Sequence, residues 1–555
     1  MKKAISAAVA FALISAIFAG CGEAPKESEN SSPENESKTE IVEPAVQPEI
    51  EDAVNIVLSD GEITVDGTAL GETPVNGVAL GGEIVYYHDM DAYESGNPYG
   101  EGTEKDKHTE AEASAHTLVT ITEPGAYAVT GKLSKGQLAV DLGEEAKADP
   151  NAKVTLFLNG ADITCEIAPA VIFYNVYECG DKTLDTEGVA DTSSAGANVI
   201  IVDGTENNIN GSCVAKIYKD NAESKKLAKY DGAFYSLTSM NISADGEGTG
   251  ILNVTAENEG IDSELHLTIN GGNINIKSQN DGINTNEDGI SVTTVNGGNI
   301  TISAGLGDEG DGIDSNGYLV INGGTIVSAA KSESGDGGID ADKGIIINGG
   351  IVIAFGGRND DVDTSSKQNY MQFTFSETCK AGSKITLKDE DESVLAEAVS
   401  DRSFKSLTIS SPELELNKEY TFFVNDVQQG YTVGAGQQGG MFPNRGGEEM
   451  RKNELTPPEG FDEWLEKAED IPDEIRAWLE SVAEKAGEFG AMGNKAPDAP
   501  ADGQPEVPEK TGEQGAPDGG QGGLTSIVLN EFSTEFVITE TNKTFSNVEA
   551  AEKTA

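Results

Sequence analysis

The sequence predicts an all-β chain folded as a parallel β-helix, a solenoid, and three observations predict it. The tripeptide NGG recurs at Asn270, Asn296, Asn322 and Asn348, at a constant interval of 26 residues. Each copy is flanked by short β-type runs: LHLTI, ISVTTV, YLVI and GIII before it, NINI, NITI, TIVS and IVIA after it. Glycine is abundant (66 residues) while aromatic residues make up only 6 % of the chain, a composition of turns between short strands. Equal spacing of identical turns marks stacked repeats and favours a solenoid over an antiparallel sandwich. The period is too long for the nonapeptide calcium roll.

Within each repeat a second motif, Gly-Ile followed by Asp or Asn, supplies another corner. It reads EGID (Glu259–Asp262), DGIN (Asp281–Asn284), DGID (Asp311–Asp314) and GGID (Gly337–Asp340), with a looser copy DDVD at Asp360–Asp363. Coils stacked about 4.8 Å apart turn Ile261, Ile283, Ile313 and Ile339 into an inward ladder. Glycines are expected to supply the positive-φ corners that close each coil.

The same stacking predicts two outward columns of acids: Glu259, Asp281 and Asp311 in one, Asp262, Asn284, Asp314, Asp340 and Asp363 in the other, with Asp360 in the last copy. Like charges roughly 5 Å apart cost about 3 kcal/mol per pair at an effective dielectric of about 20. Hard divalent cations remove that cost, and Ca²⁺ accepts six to eight oxygen ligands from Asp, Glu, Asn and carbonyl groups. Several calcium ions are therefore the expected cofactor, ahead of magnesium, which tolerates irregular geometry poorly. The competing explanation is the ordinary preference of Asn and Asp for turns. Five copies in register favour the cation.

The whole chain carries 37 Lys and Arg against 96 Asp and Glu, a net charge of −59. That argues against nucleic acid, whose phosphates would be repelled, and against direct contact with a polyanion unless a cation sits between. Residues 1–20 read as a signal peptide, Lys2 and Lys3 preceding an apolar run. The run AISAAVAFALISAIFAGC resembles a bacterial lipoprotein signal with Cys21 as the lipidated residue, although Phe18 stands where leucine is usual. Ordinary cleavage and release is the alternative. Residues 21–51 form a Glu/Ser/Pro/Asn-rich tether, so the expected location is exported and lipid-anchored to the membrane, facing outward. The β-helix is expected over 52–366 and a β-rich C-terminal cap over 367–430. A low-complexity tail with short amphipathic helices follows over 431–523, and a terminal β segment over 524–555. In the tail, Pro457–Phe489 gives two helices, the second carrying Ile475, Trp478, Leu479 and Val482 on one face. Cys165, Cys179, Cys213 and Cys379 fit no zinc spacing; a Cys165–Cys179 disulfide and free buried thiols both remain open. The four His show no metal-binding spacing.

These residues also carry a family resemblance. VTITEPGAYAVTGKLSKGQLAVDL (Val119–Leu142), VTLFLNGADITC (Val154–Cys165), IIVDGTENNI (Ile200–Ile209), the coils above and FKSLTISSPELELNKEYTFFVND (Phe404–Asp426) keep one order along the chain. From about Ile56 to Asp426 the chain resembles the bacterial carbohydrate-binding β-helix family. That family is typified by a calcium- and polygalacturonate-binding protein of a cellulolytic clostridium. The resemblance implies a right-handed parallel β-helix with bound calcium that binds acidic plant-wall polysaccharide without catalysis. The insert Tyr86–His116 and the tail after Gly430 lie outside the resemblance.

Three functions compete: binding of uronate polysaccharide through calcium, a calcium-stabilised spacer or adhesion stalk, and a calcium-dependent pectate lyase. A lyase needs a base, usually Arg, and of the five arginines only Arg358 lies on the coils, beside Asp360 and Asp361. An ion pair or a supporting place beside the calcium suits it better. A polygalacturonase would need a close set of catalytic Asp, and nothing singles one out. Both Trp lie in the tail, so Tyr318 is the candidate sugar-stacking residue on the coils, packing being its other reading.

Overall fold

The computed structural model describes residues 48–87, 106–183, 187–218, 226–433, 531–539 and 543–551. The signal peptide, Cys21, the tether and the amphipathic tail lie outside these residues, as does most of the Tyr86–His116 insert. The described chain is all-β, as predicted. Its one α-helix, Glu110–Ala113, is four residues long and opens with a Thr109–Glu112 capping box.

Most strands pair in parallel, in three stacks. The first runs through Val154–Cys165 (its N-terminal half), Ala197–Ile201, Met240–Ala244, His266–Ile269, Val292–Val295, Tyr318–Ile321 and Gly344–Ile347. The second runs through the C-terminal half of Val154–Cys165, then Glu206–Gly211, Ile251–Ala256, Asn273–Ser278, Asn299–Ser303, Thr325–Ala329 and Ile351–Gly356. The third runs through Thr117–Ile121, Gly136–Asp141, Val171–Asn175, Gly232–Ser236, Glu259–Ser263, Ile283–Thr285 and Ile313–Ser315. Alternate residues of every stack turn inward and meet their own kind. Ile242, Ile269, Val295, Ile321 and Ile347 form one fully buried column, and Ile261, Ile283 and Ile313 form another, with Ile339 buried beyond them. Together they make one continuous apolar core, since matched β-branched side chains fill a pleated face well.

The two motifs sit in different places: NGG forms turns between stacks, whereas the Gly-Ile motif, expected at a corner, lies in or at the start of the strands of the third stack. In NGG the second glycine takes the left-handed conformation, φ 104° at Gly272, 97° at Gly298, 89° at Gly324 and 87° at Gly350, which side chains resist. The asparagines stack, each side-chain amide donating to the previous Oδ1 at 2.9 Å from Asn296 to Asn270, Asn322 to Asn296 and Asn348 to Asn322. The glycine of the Gly-Ile motif is needed for a different reason, and the positive-φ expectation does not hold there. A Cβ on Gly260, Gly282 or Gly312 would overlap the carbonyl oxygen of the next motif's glycine, Gly282, Gly312 or Gly338. Close backbone approach between successive copies fixes that residue.

Beyond the stacks the chain forms an antiparallel lobe. Phe404–Ser410 pairs with both Ile351–Gly356 and Tyr370–Cys379. The terminal strand Thr544–Ala550 joins in parallel on Tyr370–Cys379. The lobe has a second, aromatic core in which Phe373 stacks on Phe422 (centroids 4.6 Å apart), with Phe536 and Phe545 from the terminal segment against them. All four described cysteines are free thiols, which removes the Cys165–Cys179 disulfide.

Candidate metal centre

In the third stack Ile261, Ile283 and Ile313 point to the core, so the next residue of each strand points away from it. Asp262 therefore pairs in register with Asn284, and Asn284 with Asp314. The other column follows the backbone: Gly260 donates to the Asp281 carbonyl at 2.9 Å and Gly282 to the Asp311 carbonyl at 2.9 Å. Both columns form, but they are not solvated. Asp262 is 0 % exposed, Glu259 4 %, Asn284 6 % and Asp281 8 %. Asp311, Asp314, Asp340 and Asp360 are half-buried, so the columns open toward solvent as the stack proceeds. Tyr174, Tyr230 and Tyr235 pack edge-on and tilted at 5.4–5.5 Å beside the buried end.

At that end the carboxylates of Asp231, Glu259 and Asp262 offer oxygens that all lie within 4.8 Å of one another. Asp231 was not among the expected ligands. Its copy of the motif reads DGAF, in which the Asp-Gly pair stands one residue farther from the inward Phe234 than Glu259-Gly260 stands from Ile261, while the strands stay in register at Gly232↔Glu259 and Phe234↔Ile261. An Asp-Gly pair two residues before a buried Phe was the signal. Lys229 Nζ lies 2.6 Å from Asp231 Oδ2, and Asn286 Nδ2 donates to Asp262 Oδ1 at 2.8 Å. No donor reaches Glu259 Oε2, Asp262 Oδ2 or Asn284 Oδ1, although all three are buried. Burial first, and the neighbouring carboxylates next, hold Glu259 and Asp262 well above the usual carboxylate range. Unpaired buried acceptors are costly, and an oxygen-rich, anionic set of this kind fits a hard cation.

A second group continues the columns. Asp281 Oδ1 accepts from the Asp311 amide at 2.7 Å, and Asp311 Oδ1 from the Gly337 amide at 2.6 Å. Burial, joined by the charges of Asp340 and Asp342, pushes Asp314 up to about 7. Burial likewise lifts Asp311 to about 7 against the pull of the Gly337 amide. Burial first, and the charge of Asp360 next, pushes Asp340 up to about 8.

Three expected residues sit differently. Asp363 closes a local turn, its Oδ1 accepting from the Ser365 amide at 2.7 Å, and Asp360 takes its place beside Asp340. Arg358 is exposed and forms no ion pair with Asp360 or Asp361. Tyr318 is half-buried, with Lys343 Nζ 5.9 Å from its ring centroid. Gly188 lies close enough that an added Cβ would sit 3.5 Å from the ring. Those neighbours crowd it as a stacking platform.

A family model described as carbohydrate-binding domain-containing protein matches residues 115–417, more than half of the sequence. The chain belongs to this family. The match spans all three stacks, both acidic groups and much of the lobe. Among solved structures, the chain is similar to one titled a polysaccharide lyase-like protein from C. thermocellum, a gadolinium derivative. The identity is 21 %, the coverage 54 % of this chain and 92 % of that one, and the TM-score 0.32. No curated protein matches.

Proposed function

We propose that this family member is a cell-surface lipoprotein, anchored through Cys21, that binds uronate polysaccharide through calcium held by the stacked Asp and Asn turns. The observation that carries the reading is the set of buried oxygens on Glu259, Asp262 and Asn284 that no donor satisfies. Calcium would supply positive charge to oxygens that the fold otherwise leaves repelling one another. Asp231, Glu259, Asp262 and Asn284 would hold one ion, and Asp281, Asp311, Asp314, Asp340 and Asp360 would hold more. The three parallel stacks are read as the faces of a parallel β-helix, right-handed because parallel crossovers almost always are.

The burial gradient divides the labour. The Asp231 end is closed to any polymer and serves rigidity, which is the part of the stalk reading that the geometry favours. The half-buried Asp314, Asp340 and Asp360 end is where a bound cation would also meet a carboxylate of the polysaccharide. Arg358, exposed and unpaired nearby in sequence, would add a direct contact to the same carboxylates rather than act as a base. The reading is therefore binding without cleavage.

Isothermal titration of the Cys21-truncated chain with polygalacturonate, in calcium and in EDTA, tests this, with ultraviolet absorbance followed for unsaturated product. Calcium-dependent binding with flat absorbance is expected. Rising absorbance would make the protein a lyase, and no binding in either buffer would end the uronate reading.

A further inference from the structure

The second stack carries a polar face that nothing above uses. Its outward residues Asn253, Asn275 and Thr301 are successive register partners. Asn275 Nδ2 donates to Asn253 Oδ1 at 2.9 Å, and Asn253 Nδ2 to Asn208 Oδ1 at 3.0 Å. The amide ladder stops at Thr301, which leaves the Asn275 Oδ1 and the Thr301 hydroxyl without a partner. One row over, Lys277 pairs in register with Ser303. Lys277 is exposed and forms no ion pair, unlike Lys132, Lys135 and Lys182 on the same molecule. Ser303 is 5 % exposed, and its hydroxyl has no hydrogen-bond partner.

These side chains are the floor of a groove of about 450 Å³, whose wall is the lobe segment Val399–Asp401. That volume lies within the range of small-ligand sites, roughly 300–1,000 Å³. Val399 stands out from the wall, 59 % exposed, and Asp401 beside it supplies an acceptor.

We propose that this groove is a second saccharide subsite, which binds a uronate-bearing oligosaccharide directly, with no bridging cation. Lys277 takes the sugar carboxylate. Thr301, Ser303 and Asn275 bond the hydroxyls, Asp401 accepts from a hydroxyl on the opposite side, and Val399 covers an apolar face of the ring. The site suits one carboxylate at a time, since a single cation faces Asp401 across the groove. It rests on the reading of the protein as a uronate binder, and it differs from the acidic columns in needing no metal.

The test is titration of the Cys21-truncated chain with a short oligogalacturonate in EDTA, for the wild type, Lys277→Ala and Lys277→Arg. The proposal expects binding that survives EDTA, weakens about tenfold in Lys277→Ala and returns in Lys277→Arg. Equal affinities for wild type and Lys277→Ala, or no binding in EDTA, would overturn it. Removing calcium could loosen the fold, so a second measurement is made in calcium: acetylation of lysines with and without the oligosaccharide, read by mass spectrometry. Protection of Lys277 but not of Lys132 supports the site. Unchanged Lys277 labelling, or equal protection by a neutral cello-oligosaccharide, overturns it. The two readings fail separately. If only the groove is wrong, calcium-dependent binding persists and ignores Lys277; if only the calcium columns are wrong, Lys277 still matters and calcium adds nothing.

Discussion

Asp262 and Asn284 are register partners on adjacent parallel strands, and each buries one side-chain oxygen, Oδ2 and Oδ1, that no donor reaches. Parallel stacking repeats whatever the motif contains, so an acid at one corner recurs beside itself. In the metal-free chain protons must neutralise the columns, and both Glu259 and Asp262 are held far above the ordinary range. Bound calcium, as proposed, would do the same work at neutral pH without protonation.

The stability of the metal-free chain should therefore fall as pH rises. Asp311 and Asp314 are pushed up to about 7 and Asp340 to about 8, whereas unfolded carboxyls titrate near 3.9. Between those values the folded chain holds more protons than the unfolded one, so stability is full below about pH 4 and is lost through about pH 8. Thermal melts in EDTA should show a falling midpoint over this window, and calcium should flatten the profile. A flat profile in EDTA would contradict the burial of these acids.

Asp262→Asn should split the two states. Asparagine is neutral without a proton, so the cost of neutralising a carboxyl held well above its unfolded range disappears, and the melting temperature in EDTA at pH 8 should rise by several degrees. In calcium the same variant loses a ligand, and the calcium-induced gain should shrink. A variant that melts below wild type in EDTA would mean that Asp262 serves the apo fold.

Much of this was legible from periodicity, and the failures have physical causes. The NGG interval reappears as the Asn ladder, because a fixed repeat in parallel register must bring like residues together. The Ile261, Ile283 and Ile313 ladder follows for the same reason. The burial of the acids was not legible, since the chain around Tyr230 and Tyr235 that packs beside them is contributed from outside the regular repeats. Asp231 escaped because its copy of the motif has Phe in place of Ile and carries its Asp-Gly pair one residue farther from that inward side chain. Asp363 was misassigned because spacing alone does not separate a column member from an Asx turn. The amides and hydroxyls above Lys277 were invisible as a site, because the opposing wall at Val399–Asp401 comes from the lobe.

Gly282→Ala should be far worse than its size implies. The new methyl would overlap the Gly312 carbonyl and the Ile302 side chain, forcing successive strands apart. A loss above about 4 kcal/mol is expected, in the range reserved for named structural failures. Ile283→Val, which trims one methylene from the ladder, should cost about 0.5–1.5 kcal/mol. Chemical denaturation of the two variants in calcium checks the contrast, and similar costs would mean that the strands can separate locally.

Phe536→Ala should loosen the lobe and spare the stacks. Phe536 is fully buried, with its ring 5.5 Å from Phe373 and 5.1 Å from Phe545, so the truncation should cost about 3–5 kcal/mol. That loss falls within the aromatic core of the lobe, which is separate from the aliphatic core of the stacks. Hydrogen exchange should therefore rise across Tyr370–Cys379 and Glu419–Val424 while Glu259–Ser263 and Ile283–Thr285 keep their protection. The terminal strand Thr544–Ala550 should exchange with the lobe, since it pairs with Tyr370–Cys379. Loss of protection in Ile283–Thr285 as well would mean that the two cores unfold as one cooperative unit, joined through the antiparallel pairing of Ile351–Gly356 with Phe404–Ser410.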